Sequence, residues 1–265
     1  MMAVGAVAMA FWYLKYRTGI QYFLIGGFLW AIAIGIKLAM DVTITQPIQA
    51  ALGASLPVVA VLIIMSLYVG LRTGFLESGI TYLVVRYSSL SRSGYIEAVA
   101  LGIGFGGTEA IVLGFLSFEN VLSLVLVPDL QAALTPAVLE QFSVAFIPVP
   151  IIERFFTLFI HVFAVVLVVY SVRSRELLWL WLSILLKTIT DGPLPLFNYY
   201  MRPLGVLAFI PIEIYVATLG IISIAGLFWL KKRFSGLPVL QMPAKNAKNN
   251  KNEKNTNKTK ETKNG

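Results

Sequence analysis

Residues 57–87 read PVVAVLIIMSLYVGLRTGFLESGITYLVVRY, and how this stretch is divided decides the architecture of the chain. A transmembrane helix needs about 20 mainly apolar residues. This run exceeds that length without comfortably supplying two. Arg72, Thr73 and Gly74 interrupt it, so it reads either as two short helices or as one long helix, tilted or kinked, of about 45 Å at 1.5 Å per residue.

The charges on either side decide between them. With one helix here, Lys15 and Arg17, Arg86 and Arg92, Arg173 and Arg175, and a Lys-rich C-terminal segment all fall on one side of the membrane. Asp41, then Glu119, Asp129 and Glu140, then Asp191 fall on the other, with Arg202 the only clear cation. Two helices would break that segregation, so the positive-inside rule predicts one.

The apolar runs on either side extend the pattern to spans at about 2–16, 20–40, 57–87, 94–117, 146–171, 176–191 and 204–231. The predicted fold is an all-α, polytopic transmembrane bundle of about seven spans, N-terminus out and C-terminus in. The bundle takes residues 1–233, and 234–265 form a disordered basic cytoplasmic tail. The stretch 117–145, with Pro128 and Pro136, reads as an external connection that lies in the interface or dips into the bundle. The first apolar run has no basic segment before it and reads as a retained helix, not a cleaved signal.

Composition agrees, with 58% apolar or aromatic residues and 13% charged, far from the balance of a soluble domain. The net charge of +8 is not a nucleic-acid signature. Before Lys231 there are 11 basic and 11 acidic residues, and the excess lies in the last 35 residues, with 10 basic side chains against Glu253 and Glu261. Beyond Ala247 the tail has no apolar residue and cannot bury enough surface to fold. Its expected partners are the lipid bilayer and anionic headgroups. Cysteine is absent, which excludes disulfides, thiolate metal sites and cysteine nucleophiles.

Ionisable residues inside the spans carry the functional information, because each costs about 2.5–3.5 kcal/mol at a helix centre unless it faces a partner or water. Arg72, Glu77, Glu109, Glu153, Arg154, His161, Lys187 and Glu213 are such residues and are expected to converge on a polar interior. Arg154 and His161, seven apart, share a helix face, and Lys187 and Asp191, four apart, are spaced to pair. Lys187 lies about 16 Å into its span, so its amine is expected within reach of Glu77, Glu109, Glu153 or Asp191. Gly102, Gly104, Gly106 and Gly107 precede Glu109 and allow close helix contact; with no strand before them, they are not a phosphate loop. A lone histidine is more often a packing residue than a ligand. With Glu77, Glu109 and Glu153 in the same set, His161 is equally a metal-ligand candidate.

The order Leu76-Glu77, then Gly104-Phe105-Gly106-Gly107-Thr108-Glu109-Ala110, then Glu153-Arg154 followed by His161 resembles the YhfC family of intramembrane metalloproteases, grouped with the CAAX-protease-like and PrsW-like membrane peptidases. That resemblance implies a catalytic metal, zinc, held by carboxylates and histidines, with a Glu activating water against a peptide bond. It also implies a Glu-Glu-x-x-Arg element, a Gly-His-Gly-Gly-x-Glu element and a late histidine. Here the second Glu falls on Ser78, the Arg on Thr81, the glycine-rich His on Phe105 and the late His on Lys187.

Losing two imidazoles removes ligands, while Lys187 brings a fixed positive charge where a divalent ion would balance the carboxylates. The leading expectation is a degenerate, metal-free, ion-paired core with Arg72, Arg154, Lys187 and Asp191 among its members, and a binding or scaffold role. The alternatives are an active zinc peptidase using Glu77, Glu109 and Glu153 as catalytic groups with His161 and Glu109 as ligands, or a transporter or subunit of a membrane complex. Substrate or membrane-protein partner identity is not encoded in these motifs.

Overall fold

The computed structural model describes residues 1–132, 134, 135, 139, 142, 143, 146–201 and 209–237. The described residues form helices α1 (Met2–Tyr16), α2 (Ile20–Met40), α3 (Gln46–Ser55), α4 (Val58–Thr73), α5 (Gly79–Tyr87), α6 (Tyr95–Leu126), α7 (Pro128–Ala132), α8 (Pro148–Ser174), α9 (Leu178–Asp191), α10 (Leu194–Met201) and α11 (Phe209–Phe234). The protein is a multi-pass membrane bundle.

Five described helical stretches are long and apolar enough to cross a bilayer: Ile20–Ser55, Val58–Tyr87, Tyr95–Leu126, Pro148–Ser174 and Phe209–Phe234. The other two predicted spans correspond to shorter helices, α1 and the 14-residue α9. The deciding stretch is one helical unit. A π-helical turn, Gly74–Ser78, joins α4 to α5 without a break, and Arg72 and Thr73 lie in the helix just ahead of it.

Several predicted boundaries move. The second span does not stop at residue 40. A π turn over Asp41–Thr45 carries α2 into α3, so the helical unit runs to Ser55. Pro47 sits inside this unit, just after the π turn, where its missing N–H leaves one gap in the backbone ladder. The fourth span does not end at residue 117 either, since α6 stays helical to Leu126 and takes the first part of the predicted external stretch. The last helix runs to Phe234, just past the expected start of the tail. Residues 238–265, which hold all but the first four residues of the predicted tail, and Glu140 and Arg202 lie outside the described residues.

Helix α6 sits at the centre. It packs on α1, α2 and α8, while α8 in turn carries α9 and α11 and α9 packs on α4. The glycines of α6 make these approaches possible. A Cβ at Gly104 would lie 2.3 Å from the Phe23 carbonyl oxygen, and one at Gly106 would lie 2.8 Å from the His161 Cβ. Small residues at such contacts substitute close van der Waals packing for the hydrophobic drive that lipid cannot supply. The core between these helices includes Leu29, Trp30, Leu101, Phe105, Ile160 and Val166, and the charged site is embedded in it.

Candidate functional site

The π turn that joins α4 to α5 carries Glu77. A π turn inserts one residue into a helix, re-aims the side chains around it and recurs at functional sites. Glu77 is 4% exposed and faces two ammonium groups. Lys37 of α2 donates to its Oε1 at 2.6 Å, and Lys187 of α9 lies 2.5 Å from its Oε2, a close ion pair whose angle is not that of a hydrogen bond.

From Lys187 the polar chain continues through the core. Its amine, 3% exposed, lies 2.5 Å from His161 Nδ1. An ammonium only donates, so Nδ1 accepts and a neutral His161 carries its proton on Nε2. That nitrogen is 3.1 Å from Glu109 Oε2, which also accepts from Trp30 Nε1 at 2.9 Å. Glu109 Oε1 accepts from Arg154 at 2.8 Å, and Arg154 also donates to Glu153. The connected chain from Lys37 to Glu153 therefore holds three cations and three carboxylates and is neutral when His161 is neutral.

The remaining predicted site residues divide. Arg72 does not join this chain; it donates to Asp41 and to Thr45 Oγ1 at 3.0 Å, and sits over the Tyr68 ring. Asp191 makes no ion pair with Lys187 within 4.0 Å among the described residues, despite their helical spacing. The packing of α9 on α4 and α8 turns the amine toward Glu77 and His161 instead. Glu213 of α11 is part-buried and has a buried oxygen with no hydrogen-bond partner among the described residues.

All four positions that depart from the resembled motif meet at the same place. Ser78 pairs with Ser183 at 2.8 Å, and Ser183 donates to the Ala164 carbonyl. Thr81 donates back to the Glu77 carbonyl at 2.7 Å. Phe105 stacks on His161 with ring centroids 5.3 Å apart, and the Lys187 amine lies 5.4 Å from the centre of the same ring. Glu77, Ser78, Thr81, Phe105, Ser183 and Lys187 border a void of about 10 Å³, near the lower limit for one water molecule.

A model of the YhfC intramembrane metalloprotease family matches residues 1–216. The chain belongs to that family. No curated protein and no solved structure matches it. Membership implies zinc, so the donor set of this YhfC member bears on whether such an ion fits. Both oxygens of Glu77 face ammonium groups, both oxygens of Glu109 accept from Arg154, Trp30 or His161, and both nitrogens of His161 are engaged. Among the described residues no group of three or more His, Cys, Asp or Glu side chains is arranged to hold a metal. Adding a divalent cation to an already neutral chain would also leave two uncompensated charges in the core. This arrangement does not fit a zinc ion.

Sequence reasoning missed Lys37 and Trp30. Lys37 lies three residues before the predicted end of the second span, where a long side chain can reach the interface and a lysine carries no functional signal. The π turn at Asp41–Thr45 lengthens that helix and leaves Lys37 well inside it. The signal that would have found it is a lysine one turn before an aspartate in an apolar run that continues past both.

Proposed function

We propose that this YhfC-family protein has exchanged the metal of its ancestral site for an ion-paired polar core and serves as a membrane binding or scaffold protein. The reading rests on one observation above the others. The Lys187 amine stands 2.5 Å from both a Glu77 oxygen and His161 Nδ1, the position in which a divalent cation would bridge a carboxylate and an imidazole. An ammonium balances the carboxylate charge there, but it has no vacant coordination position and cannot acidify a bound water as zinc does.

Ser78, Thr81 and Phe105 support the same reading. At three motif positions they replace charged or ligating side chains by groups satisfied within the core. A chain in which each of the six charged side chains from Lys37 to Glu153 faces an opposite charge favours a single packed arrangement over an open reaction site, which suits a protein that presents its helices to another membrane protein.

Elemental analysis of chelator-washed protein in detergent tests the reading. The expected zinc content is well below one ion per chain, rising toward one in Lys187→His, which restores a family-type ligand. Stoichiometric zinc in the unsubstituted protein, lost in His161→Ala and accompanied by cleavage of a membrane peptide, would instead establish an active peptidase with an altered ligand set.

A further inference from the structure

Away from the ion-paired core, α1 packs mainly on α6 and α11 mainly on α8, leaving a cleft between α1 and α11. The cleft has a volume of about 410 Å³, within the roughly 300–1,000 Å³ usual for sites that take a small molecule. Its deeper walls are Ala8, Val99, Ile103, Leu158, Val162 and Ile224. Among the described residues no charged side chain lines that part.

The charged side chains of the cleft are both at one end. Lys15, in the last turn of α1, and Lys231, in the last turn of α11, line its mouth. Lys15 and Ala8, and Lys231 and Ile224, are each seven residues apart, so the apolar wall runs about 10 Å down from the amines. Among the described residues neither lysine has a carboxylate within 4.0 Å. Of the rim aromatics, Trp12 donates to the Ile96 carbonyl and Tyr95 to the Leu227 carbonyl, while the Lys15 amine lies 5.1 and 5.4 Å from the centres of the Phe11 and Tyr16 rings, which hold it at the mouth without neutralising its charge. Phe11 and Phe228 line the cleft yet stay exposed, so its side opens toward hydrocarbon.

The occupant of such a cleft must be apolar along about 10 Å and anionic at one end. We propose that it binds an anionic phospholipid, with one acyl chain between α1 and α11 and the phosphate held by Lys15 and Lys231. Basic pockets between transmembrane helices hold anionic headgroups by direct charge attraction. Its two lysines belong to α1 and α11, not to the Lys-rich tail, and the site does not depend on whether the central core binds a metal.

Native mass spectrometry of the full chain, titrated with phosphatidylglycerol and phosphatidylcholine of identical acyl chains, tests it. The expected result is a preference of roughly tenfold for phosphatidylglycerol, lost in the double variant K15A/K231A while phosphatidylcholine binding is unchanged. Both variants are at exposed positions, so the fold is expected to persist, and an unchanged thermal midpoint checks it. Val99→Phe, which fills the cleft, is expected to weaken both lipids at this site. Equal binding of the two lipids, or a preference that survives K15A/K231A and disappears only when Lys245, Lys248 and Lys251 of the tail are neutralised, would overturn the proposal.

Discussion

Replacing Lys187 by Met removes the ammonium shared by Glu77 and His161 while keeping a side chain of similar length. Both Lys187 and Glu77 are nearly inaccessible, at 3% and 4% exposure, so the loss falls in the range of about 3–5 kcal/mol for breaking a buried pair. Lys37 remains 2.6 Å from the other Glu77 oxygen, so the carboxylate keeps one partner and the cost is expected near the lower end, about 3 kcal/mol. Glu77→Gln is different in kind. It strands two ammonium groups at once and is expected to cost more, about 4–5 kcal/mol.

The two changes share one interaction, so the double variant K187M/E77Q should lose less than the sum of the singles, by about 1–3 kcal/mol. Reversible unfolding in mixed micelles, followed by tryptophan fluorescence and circular dichroism, measures all three. A neutral Lys187→Met, or strictly additive singles, would refute the reasoning, because either would mean that the amine is solvated and its contact with Glu77 carries no energy.

Gly106→Leu is expected to destabilise the protein by more than about 2 kcal/mol and to disturb His161, whose Cβ lies 2.8 Å from where the new Cβ must sit; an unchanged melting temperature in detergent would argue against that contact. Asp41→Asn should cost about 1 kcal/mol or less, since the Asp41 side chain is 40% exposed, and should add to Lys187→Met within about 0.5 kcal/mol because Arg72 and Asp41 lie outside the central chain. Reporter fusions address orientation: one after Gly265 should read cytoplasmic and one inserted near Gln131 external, and agreement of the two sides would rule out the predicted topology.

The helical membrane architecture was legible in the sequence because bilayer thickness imposes a length on every apolar run, and a run of that length survives without knowledge of its neighbours. The ionisable residues stood out for the same reason: hydrocarbon tolerates few of them, so Glu77, Glu109, Arg154, His161 and Lys187 announce a polar interior wherever the helices place them. The family motif was equally local, carried by the order of residues along the chain. Partner choice was not local. Whether Lys187 meets Asp191 one turn away or Glu77 on another helix depends on how α9 sits against α4 and α8. Lys37 entered the site only because a π turn prolongs its helix past Asp41, and Arg72 left it because Asp41 and Thr45 stand nearer. Helical periodicity assigns a side chain to a face; the rotation of that face, and the side chain that waits opposite it, are fixed only when the glycine contacts of α6 bring the helices together.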